Sequence, residues 1–305
     1  MQARLSRNQV TVYLVTGANG FLGQIIVRQL EQPCETLSRS DATYRVNLAR
    51  EIPQLNEVPE VALHIAGKAH SVPKTEREAQ AFFDVNLLGT QNLVKGLERL
   101  GELPRAFLFI STVAVYGVDK GTNIPETHPL QGDTPYALSK IQAEAFLEAW
   151  GEQKGVRIGI LRLPLIAGPN PPGNLGAMIR GIQTGKYLRF GQGATRKSVV
   201  LAQDIASVLP ALAERGGTYN LTDGYHPSFA ELENEISRQL GKSPPRAVPL
   251  PVAHLLGKVG DVVGPFPVNS STVEKMTSDL TFDDRKARNA IGWAPRRVLD
   301  CFEIA

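Results

Sequence analysis

Tyr136 and Lys140 stand four residues apart in Thr134-Pro135-Tyr136-Ala137-Leu138-Ser139-Lys140. An early proline followed by good helix formers to about Trp150 predicts a helix, and the i, i+4 spacing puts phenol and ammonium on one face of it. An ammonium beside a phenol favours phenolate and lowers its pKa from about 10. Such a tyrosine can donate or accept a proton while a hydride passes to or from a nicotinamide, and the same lysine can hold the nicotinamide ribose. Tyr/Lys pairs at this spacing also arise by chance, so the pair needs company.

Near the N-terminus, Thr11 to Leu30 reads TVYLVTGANGFLGQIIVRQL. Val12, Leu14 and Val15 make a short buried strand, and Gly17, Gly20 and Gly23, with Asn19, Phe21 and Leu22 among them, interrupt it where the chain must turn into a helix. Glycines let backbone amides approach a pyrophosphate, and the following helix offers its free N–H groups and positive dipole end. The spacing is Gly-x-x-Gly-x-x-Gly rather than Gly-x-Gly-x-x-Gly, and alone it fits a merely structural turn equally well. The next strand ends in Ser38-Arg39-Ser40. A carboxylate there would bind the adenosine ribose and reject a 2′-phosphate, whereas a small residue followed by arginine accommodates it, which leans towards NADP(H). Arg39 could equally stack on adenine or face solvent.

These groups need a frame to bring them together. Helix from about Phe21 to Glu31, strand Glu35–Ser38, strand Val61–Ile65, helix Glu76–Leu100, strand Arg105–Ser111 and the Tyr136 helix alternate as in a parallel sheet with helices on both faces. That is the α/β doubly wound (Rossmann) class, where ligands lie beyond the carboxyl ends of the strands at the point where strand order reverses. With the Arg105–Ser111 strand counted fourth, Gly17 and Thr112 fall just past the ends of the first and fourth strands. The Val61–Ile65 strand ends in Ala66-Gly67-Lys68, with small residues suited to a backbone passing close to a ligand; His64 within it reads as a packed strand residue. Asn86 and Gly89 lower helix propensity in mid-helix, which suggests that Asn86 bonds something specific. Past Leu163, Pro164, Pro169, Pro171 and Pro172 mark a linker. A helix near Gly176–Gly185 opens a smaller C-terminal substrate lobe, 204–214 and 218–221 return to the sheet, and 228–305 supplies short helices over the cleft. The expected division is 1–164 plus about 199–224 for the Rossmann domain, and about 165–198 plus 225–305 for the substrate lobe.

With TGANGFLG, FISTVAVYG and YALSK in this order, the chain resembles the extended short-chain dehydrogenase/reductase family, in its nucleotide-sugar epimerase/dehydratase branch. Further matches are His64-Ile-Ala-Gly67, Asp84 to Thr90, Leu161-Arg162 with Gly168-Pro169, Gln203 to Ala206, Gly217 to Asn220 and Lys286 to Pro295, so the resemblance covers nearly the whole chain. It implies Tyr136 as acid/base, Lys140 as its partner, Thr112 as donor to the reacting oxygen, and Asn86 as a cofactor-side helix residue. It also implies Ile65 and Ala66 on the adenine-to-ribose side, Pro164 on the nicotinamide side, Asn47 and Leu48 near the adenine, and Val113, Asn174, Arg196 and Lys197 towards substrate. Departures bear on the reaction. Asn47 replaces a usual Asp. Lys197 stands where relatives often have a diphosphate-binding Arg, with Arg196 beside it. Leu165 replaces the sugar-nucleotide Asn of many 4-epimerases. Val113-Ala114 replace the Asp-Glu pair of dehydratases. Leu165, with Pro172 to Leu175 and Leu188 to Gly191, is more like relatives that reduce 4-keto sugars of UDP-N-acetylhexosamines. The resemblance therefore implies an NAD(P)-dependent 4-ketoreductase in cell-surface polysaccharide synthesis, with UDP-sugar 4-epimerase as the alternative, a non-catalytic sensor or scaffold as a remote one, and a homodimer through the helices near Phe83 and Ala143.

The bulk properties agree. The 305 residues, 42% hydrophobic and 21% charged, can bury a full core. A net charge of +3 without a long basic run gives no reason to expect nucleic acid. Two cysteines, Cys34 and Cys301, with no CxxC and no His/Cys cluster, suggest neither a disulfide framework nor a metal site. Met1–Val10 is basic and polar without an apolar h-region, and no apolar run is long enough to span a bilayer. The expectation is a cytoplasmic protein free of membrane.

Overall fold

The protein is described by a computed structural model that covers residues 12–263 and 269–304. The reading of Met1–Val10, the strand start at Thr11 and the last residue, Ala305, fall outside the described residues. The strands are β1 (Tyr13–Thr16), β2 (Cys34–Ser38), β3 (Tyr44–Arg45), β4 (Val61–His64), β5 (Ala106–Thr112), β6 (Gly121–Ile124), β7 (Arg157–Leu163), β8 (Leu165–Ala167), β9 (Leu188–Phe190), β10 (Val199–Leu201), β11 (Gly217–Asn220), β12 (Arg246–Val248) and β13 (Leu280–Phe282). The α-helices are α1 (Phe21–Gln29), α2 (Glu76–Phe83), α3 (Gly89–Glu98), α4 (Pro135–Lys154), α5 (Gly173–Gln183), α6 (Leu209–Arg215), α7 (Phe229–Gln239), α8 (Leu250–Val263), α9 (Ser270–Thr277), α10 (Arg285–Ile291) and α11 (Val298–Cys301).

Seven strands form one parallel sheet in the order β11-β7-β5-β4-β1-β2-β3. Because side chains alternate along a strand, Leu14, Ala62, Phe107 and Ile160 face one helical layer with Leu93, Leu97, Ala143 and Leu147. Tyr13, Val15, Leu63, Leu108 and Leu161 face the other, with Ile26, Leu209 and Leu212. The expected doubly wound sheet is present. Its reversal point differs in one respect: β1 pairs with β4, not with the strand carrying Thr112, which lies one place further out as β5. The short edge strand β3, two residues long, has too little apolar pattern to be read from sequence, and it shifts the count.

Three further local expectations are corrected. The helix expected over 76–100 runs as α2, a π-helical turn over Asp84–Leu88, and α3. The segment expected to rejoin the sheet near 204–214 is instead a 3-10 helix, Ala202–Val208, followed by α6; only β11 enters the sheet. Nor do all the elements after Ser228 cover the cleft. Ala287 and Ile291 of α10, and Trp293 after it, pack into the main core, where Trp293 Nε1–H donates to the Thr222 carbonyl at 2.8 Å.

The smaller lobe has its own core, with Leu175, Met178 and Ile182 of α5, Leu232 and Ile236 of α7, and Val298 and Phe302. β10, paired with β8, straddles the two cores: Val199 and Leu201 face the lobe and Val200 the main sheet. A satellite cluster, Phe190, Val248, Ala253, Val273 and Met276, joins the β9–β12 pair to α8 and α9.

Candidate functional site

The glycine turn follows β1. Gly17 has φ +70°, and a Cβ there would lie 2.6 Å from the Ala66 nitrogen, so only glycine lets β1 turn beside the end of β4. A Cβ on Gly23 would collide with the Gly17 carbonyl, so α1 packs directly on the turn. Gly20 is the N-cap of α1 and offers no side-chain cap, which leaves the first-turn N–H groups without a side-chain acceptor. This cradle fits a pyrophosphate. Phe21 is partly buried, whereas the Leu22 side chain lies in the core, so Leu22 can contribute only backbone.

Asn19 joins this turn to the end of β2: its Nδ2 donates to Ser38 Oγ at 2.9 Å and to the Ser40 carbonyl at 3.0 Å. Arg39 is exposed beside them, and Arg45 Nε donates to its carbonyl at 3.4 Å. The β2 end therefore presents hydroxyls and guanidinium groups with no carboxylate at Ser38. Two residues were expected on the adenine side. Asn47 turns its Oδ1 to the Ala49 N–H at 3.2 Å, closing its own turn, and Leu48 is a core residue packed near Leu93 and Val94.

Ile65, Ala66 and Gly67 follow β4 and are held to β1 by a fully polar chain. The Ala66 N–H donates to Thr16 Oγ1 at 3.2 Å. Thr90 Oγ1 donates to the Asn86 carbonyl at 2.6 Å and so accepts from His64 Nε2–H at 3.0 Å, which leaves Nδ1 to accept from the Thr16 hydroxyl at 2.6 Å. Burial pushes His64 down to about 3, with the Lys140 charge adding to the effect, and keeps it neutral. It is a packed, satisfied histidine, as its place inside a strand suggested.

Asn86 does bond something specific, but within the protein. Its Oδ1 accepts from the Lys68 N–H at 2.7 Å, and its Nδ2 donates to the Lys68 carbonyl at 3.1 Å and to Ser139 Oγ at 2.9 Å. Both amide hydrogens are used. The π-helical turn carries Asn86, which fixes the loop after β4 against the start of α4.

Thr112 ends β5 and Tyr136 lies in the first turn of α4, whose N-cap, Thr134, accepts from the Ala137 N–H at 3.2 Å. The Thr112 hydroxyl is close enough to lower the phenol pKa, yet burial outweighs it and Tyr136 is raised above the ordinary value. The lowering by Lys140 expected from the i, i+4 spacing does not operate here: Lys140 Nζ turns inward, donating to the Ile110 carbonyl at 2.8 Å and lying 4.2 Å from the centre of the Phe109 ring. Burial brings Lys140 down to about 8, with Glu144 opposing; it is still mainly an ammonium at pH 7. Pro164 follows β7, and Val113 starts the 3-10 turn after β5, partly buried against Val115.

Towards the smaller lobe, Asn174 is exposed in the first turn of α5. Lys197 is half-buried; burial lowers its pKa, while Asp119 and Asp279 raise it. Arg196 donates to the His226 carbonyl at 2.9 Å and lies over the Tyr225 ring. Two features were not found from sequence. His70, at φ 58°, packs against Gly173; a lone histidine in a loop gives no signal for this. A buried network joins Ser111, Glu144, Arg162, Tyr116 and Asn220, and the Glu144 spacing of four from Lys140 was its available clue.

No group of three or more His, Cys, Asp or Glu suited to a metal ion occurs among the described residues, and no described helix is long and apolar enough to cross a membrane.

Comparison with known proteins agrees with this geometry. UDP-glucose 4-epimerase from Vibrio cholerae is 27% identical over 94% of this chain and 91% of its own. GDP-6-deoxy-D-mannose reductase from Pseudomonas aeruginosa is 28% identical over 72% of this chain and 76% of its own. Among solved structures, RMD from Pseudomonas aeruginosa complexed with NADPH shares the fold at a TM-score of 0.73, with 23% identity and 95% of each chain covered. A family model, NAD dependent epimerase/dehydratase, matches residues 13–222. With the glycine cradle and the Thr112, Tyr136 and Lys140 arrangement inside that span, this chain belongs to the NAD dependent epimerase/dehydratase family, NAD(P)-dependent enzymes of the extended short-chain dehydrogenase/reductase type.

Proposed function

We propose that the protein is an NADP(H)-preferring nucleotide-sugar oxidoreductase acting at C4, as a 4-ketoreductase of a UDP-(N-acetyl)hexosamine derivative in cell-surface polysaccharide synthesis. The observation that carries the C4 chemistry is the meeting of the Thr112 hydroxyl with the Tyr136 phenol at the carboxyl edge of the sheet, one helical turn from the Lys140 ammonium. A bound nicotinamide would supply the hydride. The Tyr136 phenol, kept protonated by burial, gives its proton to the C4 carbonyl oxygen as that oxygen gains charge, and the Thr112 hydroxyl orients the same oxygen. The Lys140 ammonium, with N–H groups beyond the one on Ile110, would hold the nicotinamide ribose. Dehydration lacks an acid here, since Val113 and Ala114 follow Thr112. The lean to NADP(H) rests on the Ser38-Arg39 end of β2.

The alternative is UDP-sugar 4-epimerisation, favoured by the length of the match to the Vibrio cholerae enzyme. Against it stands Leu165 in β8, an apolar side chain where many 4-epimerases offer an amide. A homodimer through α2 and α4 would have to use Leu88 and Leu138, their neighbouring exposed apolar residues, because Ala143 is fully buried against the sheet.

The test mixes purified protein with NADPH or NADH and a UDP-4-keto-6-deoxy-N-acetylhexosamine and follows nicotinamide absorbance. Loss that needs both protein and sugar is expected, faster with NADPH, and Tyr136→Phe should abolish it while cofactor still binds. Isomer formation from UDP-N-acetylhexosamines without net cofactor change would replace the reductase reading with the epimerase one.

A further inference from the structure

Helix α8 is packed inside out. A surface helix normally buries its large apolar residues and exposes its polar ones. In α8 the buried residues are Ala253, Gly257 and Gly260, with Gly257 set against the Ser270 backbone at the start of α9. Leu256 is half-buried, but most of the large apolar residues face outward: Val252 is 47% exposed, Leu255 63%, Val259 42%, Val262 84% and Val263 64%. Spaced i, i+3, i+7, i+10 and i+11, they form one stripe about 100° wide along the helix.

Apart from Asp261, the Lys, Arg, Asp and Glu residues over 240–263 are all cations. Lys258 flanks it, Arg246 lies on the adjoining β12 opposite the exposed Leu188 of β9, and Lys242 precedes that strand. Among the described residues none of the three forms a salt bridge. The one acid of the helix, Asp261, is occupied in accepting the Ser270 N–H at 3.1 Å.

We propose that α8 is a docking helix for an anionic phospholipid surface, lying in the headgroup plane with its Val252–Val263 stripe inserted and Lys258, Arg246 and Lys242 against the lipid phosphates. Two physical arguments select this occupant. At about 150–180 Å² for each fully exposed Val or Leu, the stripe amounts to roughly 450 Å², near half of the ~800 Å² per partner that a stable dimer buries. Apolar residues flanked by uncompensated cations are the arrangement that membrane-surface helices use. A helix of 14 residues is about 21 Å long, too short to span the ~30 Å hydrocarbon core, so it lies on the surface. The inference is independent of the sugar and of the reaction proposed above.

The experiment is co-sedimentation of the full-length protein with vesicles of phosphatidylcholine alone or with added phosphatidylglycerol, paired with light scattering. Retention on the anionic vesicles only, weakened by salt, is expected. Lys258→Ala should lower partitioning about fivefold, and Leu255→Asp with Val259→Asp by about two orders of magnitude. These positions are exposed, so an unchanged melting temperature and unchanged cofactor binding should accompany the loss. Absence of retention, equal retention on neutral vesicles, or retention indifferent to the double substitution would overturn the proposal. So would a dimer that the double substitution converts to monomer, which would assign the stripe to a second copy.

Discussion

Glu144 and Arg162 are the most exacting pair to perturb, because both side chains are out of water, at 2% and 7% exposure. Glu144 on α4 receives Arg162 Nη2–H at 2.7 Å and Nε–H at 3.2 Å from β7, together with the hydroxyl of Ser111 on β5. Arg162 Nη1 in turn donates to Tyr116 Oη and to the Glu126 carbonyl, each at 3.2 Å. The pair therefore ties the helix that carries Tyr136 to β7, and the Ser111 hydroxyl ties the same carboxylate to β5, the strand that ends at Thr112. Glu144→Gln keeps the shape and removes the charge, stranding a buried guanidinium. Breaking one side of such a pair costs about 3–5 kcal/mol, which for a chain of this size lowers the melting temperature by roughly 10 °C. Replacing both partners with apolar residues, as in Glu144→Leu with Arg162→Met, should recover most of that loss, since a buried ion pair has little net advantage over well-packed hydrocarbon. The assay is urea or thermal unfolding of the wild type, Glu144→Gln, Glu144→Leu, Arg162→Met and the double variant. A Glu144→Gln variant within about 1 kcal/mol of wild type would refute the reasoning, as would additive losses in the double variant.

Two further outcomes follow from the site. Lys140 has a folded pKa of about 8 against an unfolded value near 10.5, so the unfolded chain holds more protons between those values and stability rises with pH across that window. The Lys140 contribution is about 3 kcal/mol, read as the stability difference between wild type and Lys140→Met from pH 7 to 10.5; a difference that does not change over this window contradicts the buried lysine, and Lys140→Met should in any case lose turnover. Arg39→Asp should reverse the preference between NADPH and NADH by about ten- to a hundredfold in kcat/KM, the size of a charge-assisted contact to a 2′-phosphate; an unchanged ratio would place Arg39 outside the cofactor site.

The residues proposed to carry the chemistry could be singled out because their places follow local backbone events. Gly17 must turn at positive φ beside Ala66, Pro135 and Thr134 must start α4, and Tyr136 and Lys140 follow at fixed helical spacing. The alternation of apolar strands with helices likewise determined the doubly wound sheet, since short buried strands and amphipathic helices can satisfy their faces in few other ways. Other features depend on pairings between distant segments, which periodicity does not encode. The edge strand β3 exists only because β2 lies beside it. The amide of Asn86 is saturated by Lys68 and Ser139, 18 and 53 residues away. Lys140 chose the Ile110 carbonyl over its neighbour in the helix, because a buried ammonium must find an acceptor and β5 provides one. The outward face of α8 was hidden for the same reason: its apolar residues are spaced like those of any core-facing helix, and only the packing of Gly257 against α9 decided that they point to the exterior.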